Sequence, residues 1–169
     1  MQTMMAFLAT ALIVTTQPVA ALECQYGTVS SDYWWHKARS ETYVLVWGGF
    51  FDLGKSQADA VNPGDVEFGA EVEVWTATFK GFRASRRAFD QPFETEVTLV
   101  FPDFSFIGGG HNTAGDAERL PGKTGLVWLE QTEDGYRVIS ELCASVIDTN
   151  AENVKPALRC LRGGYCPKE

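Results

Sequence analysis

The feature that most constrains the fold is an alternating segment, EFGAEVEVWTATFK, at residues 67–80. Val72 and Val74 fall on one face of this segment, while Trp75 and Phe79 fall on the other. A period of two predicts a β-strand, because successive side chains of a strand point to opposite faces. The segment is longer than an ordinary strand of about 5–6 residues. We therefore expect it to curve and to serve two parts of a small barrel.

Four other segments carry strand patterns, and two short ones carry helix signals. The predicted strands are Thr42–Phe51, with a bulge or bend at Gly48-Gly49, then Phe93–Phe101, Gly125–Glu130 and Tyr136–Ser140, and the predicted helices are Asp32–Ala38 and Pro156–Arg162. Five strands without βαβ alternation predict a mainly β protein, either a small closed barrel or a sandwich. The strand spacing favours the barrel, and the connections 52–65 and 102–123 are predicted to be loops.

The N-terminus has the pattern of a secretory signal peptide. No charged side chain occurs between Met4 and Ala21, and the apolar stretch Phe7–Val14 is far shorter than the ~20 residues of a membrane span. Val19 and Ala21 suit a small-residue cleavage site, so we expect residues 1–21 to be removed. The rest is then a single exported domain, periplasmic or extracellular, without a transmembrane segment. A permanent N-terminal anchor is the alternative.

Four cysteines follow the predicted cleavage site: Cys24, Cys143, Cys160 and Cys166. An even number in an exported chain predicts disulfides before metal ligands or catalytic thiols. Three pairings are possible, and the sequence does not choose among them. We prefer Cys24 with Cys143 and Cys160 with Cys166, since Gly163 and Gly164 let the chain between the second pair turn tightly. A zinc site is the alternative, but no CxxC spacing is present.

The composition excludes several classes of protein. The chain has 14 Lys and Arg against 22 Asp and Glu, which is a formal net charge of −8. Such an acidic protein lacks the positive surface that holds a phosphate backbone, so we expect no nucleic-acid partner. With 45% hydrophobic and 12% aromatic residues, the chain is also too apolar to be disordered.

Positive charge is densest in FKGFRASRRAF, residues 79–89. Lys80, Arg83, Arg86 and Arg87 are interleaved there with three phenylalanines. Arginine and aromatic side chains together can bind a carboxylate or a polysaccharide through bidentate hydrogen bonds and stacking. These four cations are candidate binding residues. The alternative is a solvated turn that balances the protein's own acids.

A second candidate binding group is Tyr33-Trp34-Trp35, which His36 follows. Exposed, these rings would form a flat platform for a carbohydrate or a protein. Buried, they would close one end of the barrel. Asp32 and His36 would face each other on a helix, at i and i+4, but two groups alone make neither a catalytic site nor a metal site.

The loop 102–123 supports the alternative that the protein is a small periplasmic hydrolase or a metal-dependent enzyme. It contains His111, Asp116 and Glu118 beside a run of glycines, a composition that suits a ligand loop or a lid. A plain surface insertion is the other interpretation. No GxSxG motif is present and the cysteines are assigned to disulfides, so we predict no catalytic residue, no cofactor and no metal.

In the order of its features the chain resembles the netrin-like domain family, the OB-fold type found in tissue inhibitors of metalloproteinases. The resemblance rests on Cys24, on the strand sequences YVLVWGGF and ETEVTLVF, on the strand end Phe79-Lys80-Gly81, and on PGKTGLVWLEQTEDGYRVISELC, which ends in Cys143. It covers residues 24 to about 147.

This resemblance implies a five-stranded Greek-key OB-type barrel with Cys24 bridged to Cys143, and a binding rather than a catalytic role. Those inhibitors place an N-terminal cysteine on the protease zinc, whereas Leu22 and Glu23 precede Cys24 here. Metalloprotease inhibition is therefore not implied. We expect a non-catalytic module that recognises another protein or an envelope component, and the sequence leaves the partner and the oligomeric state open.

Overall fold

The computed structural model describes residues 28–56, 71–103, 116–140 and 146–167. These residues are mainly β. The strands are β1 (Thr42–Lys55), β2 (Val72–Ala84), β3 (Phe89–Pro102), β4 (Gly125–Thr132) and β5 (Gly135–Ile139), flanked by helices α1 (Val29–Ala38) and α2 (Val154–Leu161) and by short 3-10 helices at Ala117–Arg119 and Ala151–Asn153. None of the helices in the described ranges is both long and apolar enough to cross a membrane.

The five strands form one sheet that closes in a ring in the order β1, β2, β3, β5, β4. Neighbouring strands are antiparallel except β3 and β5, which run parallel. Strand β1 is shared, since residues 42–48 pair with β4 while residues 46–55 pair with β2. Long strands that change partner along their length let so few strands close on themselves. The predictions of a mainly β protein and of a closed sheet are confirmed.

Two glycines bring β1 and β2 unusually close together. A Cβ on Gly48 would lie 2.3 Å from the carbonyl oxygen of Lys80, and a Cβ on Gly81 would lie 2.2 Å from that of Trp47. No other residue type fits at either position without moving a backbone. Gly48, the first glycine in YVLVWGGF, is therefore required for the close packing of β1 and β2.

The irregularity in β1 lies further along than the sequence indicates. The ladder runs unbroken through Gly48 and Gly49, and the register shifts between Phe51 and Gly54. Asp52, within the shift, has a left-handed φ of 52°, a conformation that Asp tolerates better than most residues. Gly48 thus serves the close approach to β2, whereas a Cβ on Gly49 would lie 2.5 Å from the carbonyl oxygen of Lys123. The bulge belongs to the segment around Asp52.

The interior of the ring holds the main hydrophobic core. Phe50 and Phe79 are fully buried and pack edge to face, with ring centroids 5.4 Å apart. Burying an aromatic side chain of this kind stabilises the fold by about 1.5–3 kcal/mol. The strands supply most of the other buried members: Val44, Val46, Ala77, Val97, Leu99, Phe101, Val127, Leu129 and Val138.

A second hydrophobic cluster lies on the outer face of β1 and β4. Leu45 and Leu126 alternate with core residues of their strands, so their side chains point outward. Val29 of α1 and Ala157 of α2 pack onto them. The two helices therefore cover one outer face of the ring.

Strands β2 and β3 extend further than the sequence pattern predicts. The segment between Lys80 and Pro92 lacks a regular alternation, yet Arg83 pairs with Gln91 and Ala84 with Phe89. Ladder hydrogen bonds thus hold residues whose side chains carry no strand signal. Strands β2 and β3 form a long hairpin. Arg83 lies near the end of β2, and Arg86 and Arg87 lie in the short turn that follows.

Cys160 and Cys166 form a disulfide, which confirms one of the preferred pairings. The loop that it closes turns at Gly163, where φ is 74°. The Trp34 indole nitrogen donates a hydrogen bond of 3.1 Å to the carbonyl oxygen of Cys166, which joins this loop to α1. Cys24 and Cys143 lie outside the described residues, so their pairing stays a prediction.

Candidate functional site

The four predicted cations have two different environments. Lys80 lies within β2 and pairs with Glu94 of β3, with 3.1 Å between nitrogen and oxygen. Arg83, Arg86 and Arg87 lie at the end of the hairpin and are exposed. Within the described ranges, no acidic side chain pairs with any of these three. Of the four predicted cations, the three without an acidic partner among the described residues therefore lie at the hairpin end.

Ser85 holds the hairpin turn in shape. Its hydroxyl oxygen accepts hydrogen bonds from the backbone N–H groups of Arg87, at 3.1 Å, and Ala88, at 3.2 Å. Its own backbone N–H donates to the Ala88 carbonyl oxygen at 2.8 Å. A serine in this position mimics a backbone turn. The turn thus presents Arg86 and Arg87 from an ordered backbone.

The three phenylalanines of this segment have different positions. Phe79 is fully buried in the core, whereas Phe82 is 45% exposed. Phe89 packs against Trp47, with ring centroids 6.5 Å apart, and belongs to the second hydrophobic cluster. Phe82 is the most exposed of the three, and as a neighbour of Arg83 in β2 it points to the other face of the strand.

Three other cations of the described chain pair with acids. Lys55 pairs with Glu73, and Arg119 pairs with Asp116. The guanidinium of Arg137 donates two hydrogen bonds, of 2.9 and 2.8 Å, to the buried carboxylate of Glu130. Such bidentate pairs are strong and directional. The charges of these residues are already used inside the protein.

The aromatic group on α1 is not a free platform. Tyr33, Trp34 and Trp35 are half-buried. The ammonium of Lys37 lies 4.9 Å from the centre of the Trp34 ring, and the guanidinium of Arg39 lies 3.4 Å from that of Trp35. These distances are typical of cation–π contacts. The protein's own cations occupy ring faces that a carbohydrate would need.

His36 is packed among rings on the outer face of the sheet. Its ring centroid lies 4.4 Å from that of Tyr43 and 4.7 Å from that of Trp128. Trp128 alternates with core residues of β4, so the rings pack outside the ring of strands rather than within its opening. Burial, reinforced by the charge of Arg39, lowers the pKa of His36 to about 3. The imidazole is therefore uncharged at neutral pH.

The pKa of Asp32 is shifted by burial and by Asp148 rather than by His36. Burial, together with the nearby carboxylate of Asp148, raises the pKa of Asp32 to about 6. Asp148 itself accepts hydrogen bonds from the Asn150 backbone, at 2.9 Å, and from the Asn153 amide, at 2.6 Å. Although Asp32 and His36 share a helix, a different charged neighbour shifts the pKa of each.

The residues proposed for the enzyme alternative do not come together in the part of the chain that the structure describes. His111 lies outside them, Asp116 pairs with Arg119 at 3.4 Å, and Glu118 is exposed on a 3-10 helix. In the same ranges, no three His, Cys, Asp or Glu side chains are placed to hold a metal ion.

No protein-family model, no curated protein sequence and no solved structure matches the chain. Function must therefore be argued from the surface that the fold builds.

Proposed function

We propose that this protein is a non-catalytic binding module that holds an acidic partner at the end of its β2–β3 hairpin. The observation that carries the proposal is the set Arg83, Arg86 and Arg87, exposed and without acidic partners in the described chain. In a protein with a net charge of −8, acids to neutralise them are plentiful. Their isolation leaves the guanidinium groups available to an outside ligand.

The chemistry of these residues suits carboxylates and phosphates. A guanidinium offers a planar fork of N–H donors that binds either group through two parallel hydrogen bonds. The Ser85 turn orders the backbone beneath Arg86 and Arg87 before any partner arrives. Such pre-organisation lowers the entropy lost on binding.

The topology supports the finer proposal of an OB-type Greek-key barrel related to the netrin-like domains. The strand order β1-β2-β3-β5-β4, with β3 and β5 parallel, agrees with such a barrel. OB-type barrels bind ligands on the face of strands 2 and 3 and on the loops between strands 1 and 2 and between strands 4 and 5. The proposed surface lies at the turn of the same β2–β3 hairpin, so the fold-level analogy supports the hairpin and the arginines specify its end.

The proposed setting is outside the cytoplasm, either periplasmic or extracellular. The apolar N-terminal segment supports export, and the Cys160–Cys166 disulfide is typical of an oxidising compartment. The expected partner is then another exported protein or an envelope component.

The proposal is tested by charge reversal at the turn. Arg86→Glu with Arg87→Glu should lower partner capture from a cross-linked envelope fraction about tenfold or more, because four charge units change at the contact. The matched control is Lys55→Glu with Arg119→Glu, which makes the same charge change away from the turn. Equal capture by the turn variant and the wild type would refute the proposal.

A further inference from the structure

Helix α2 carries a second row of free cations. Lys155, Arg159 and Arg162 are spaced at i, i+4 and i+7, so they share one face of the helix. All three are exposed, and none has an acidic partner within the described chain. The side chains of Val154 and Ala157 pack into the second hydrophobic cluster instead.

Two side chains of this row, those of Arg159 and Arg162, are held by the structure around them. The Arg162 Nε donates a hydrogen bond of 3.0 Å to the carbonyl oxygen of Leu158. A Cβ on Gly164 would lie 2.9 Å from Cγ of Arg159, so the disulfide-closed loop packs directly on the stem of that arginine. The stems are supported while the side chains remain exposed.

The hairpin turn and α2 border the same hydrophobic cluster. Ala84 and Phe89, which flank the turn, and Val154 and Leu161 of α2 all belong to it. Packing of this kind fixes the two elements relative to each other. Six cations that have no acidic partner in the described ranges therefore lie on two rigidly connected elements.

Exposed aromatic side chains accompany both sets of cations. Phe82, 45% exposed, pairs across the ladder with Trp47 of the second hydrophobic cluster, and Tyr165, 79% exposed, follows Arg162 in the loop after α2. Cations beside exposed aromatic rings are typical of surfaces that lie in the headgroup region of a bilayer.

We infer that the hairpin turn and the α2 row form one surface, which docks on the anionic headgroups of a lipid membrane. This inference rests on the proposed function and narrows the acidic partner to lipid phosphate. A turn and a helix face are convex, and a flat array of headgroups can contact both together. The net charge of −8 does not prevent docking, because salt screens charges further than about 8–10 Å from the membrane.

The test is co-sedimentation of the purified exported protein with lipid vesicles. The protein should bind vesicles made of equal parts phosphatidylglycerol and phosphatidylcholine, and should not bind vesicles of phosphatidylcholine alone. Arg159→Glu with Arg162→Glu should weaken binding about tenfold or more, as should reversal at Arg86 and Arg87. Lys55→Glu with Arg119→Glu should bind as the wild type does.

Near-ultraviolet circular dichroism of each variant checks that its fold is unchanged. If reversal at Arg159 and Arg162 disturbs the fold, Lys155→Glu, a single change on the same helix face, replaces it and should still weaken vesicle binding.

Absence of binding to the phosphatidylglycerol vesicles overturns the inference, as does binding that reversal on α2 leaves unchanged. A poly-glutamate peptide that binds more tightly than these vesicles also overturns it, in favour of an acidic protein. The envelope-capture experiment with Arg86 and Arg87 decides the proposed function separately, so either idea can fail alone.

Discussion

His36 and Asp32, one helical turn apart, have pKa values shifted in opposite directions. Burial and the charge of Arg39 lower the pKa of His36 from 6.5 to about 3. Burial and the charge of Asp148 raise the pKa of Asp32 from 3.8 to about 6. Between about pH 4 and 6 the folded protein therefore carries a proton on Asp32 and none on His36, and the unfolded chain has the reverse. Both states bind one proton at this pair.

The pair should consequently contribute little pH dependence to stability in that range. Asp32→Asn leaves only His36, which the unfolded chain protonates and the folded protein does not. Its free energy of unfolding should then fall as the pH falls from 6 to 4, by up to about 1.4 kcal/mol per pH unit.

His36→Gln leaves only Asp32, which binds its proton at a higher pH in the folded protein than in the unfolded chain. The free energy of unfolding should therefore rise as the pH falls from 6 to 4. Urea unfolding of the wild type and both variants at three pH values between about 4 and 6 measures the slopes. If the free energy of unfolding depends on pH in the same way in all three proteins, the pKa values of the two residues are not shifted as described.

At the scale of single elements, local alternation locates the strands but not their ends. The patterns around Val74, Leu99 and Leu129 are strong because one face of each strand meets the core. The ends of β2 and β3 depend on the pairing between Arg83 and Gln91. The hydrophobic pattern of one segment does not identify the segment with which it pairs.

The same limit applies to the candidate site. The free arginines could be located from composition and a turn signal, whereas the pairing of Lys80 with Glu94 follows from strand register. The stacking of Arg39 on Trp35 likewise depends on side-chain geometry rather than on spacing. The cation row on α2 does have a sequence signal, which is three basic residues on one face of a predicted helix.

The close approach of β1 and β2 gives a test at the element scale. Gly48→Ala should destabilise the protein by about 1–3 kcal/mol, because its new Cβ would overlap the Lys80 carbonyl oxygen at 2.3 Å. Gly54→Ala is the matched control in the same strand, since its Cβ would meet its nearest neighbour at 3.7 Å. Chemical unfolding compares them, and equal stabilities would contradict the close packing of the two backbones.

At the scale of the whole molecule, a C-terminal clamp joins the two helices. The Cys160–Cys166 disulfide closes the loop after α2, and the Trp34 hydrogen bond attaches that loop to α1. Both helices pack on the second hydrophobic cluster, which Ala84 and Phe89 beside the hairpin turn also contact. Stability of the clamp and order of the surface should therefore change together.

Removing the disulfide tests this coupling. Cys160→Ala with Cys166→Ala should lower the free energy of unfolding by about 2 kcal/mol, the loop-entropy value for so short a loop. The fluorescence of Trp34 should also change, because its hydrogen-bond acceptor is the Cys166 carbonyl. Trp34→Phe in the same background identifies that signal. An unchanged stability and an unchanged spectrum would show that the clamp does not hold the helices.

The central claim is that the protein binds its partner at the end of the β2–β3 hairpin. The most direct measurement is photo-crosslinking in the cells that produce the protein, with a photoreactive amino acid in place of Asp90, an exposed residue beside the turn. Glu133, exposed at the β4–β5 turn, is the control position. Covalent adducts should form from position 90, not from position 133, and should disappear with Arg86→Glu and Arg87→Glu. Adducts from position 133 alone, or adducts at position 90 that survive the charge reversal, would contradict the claim.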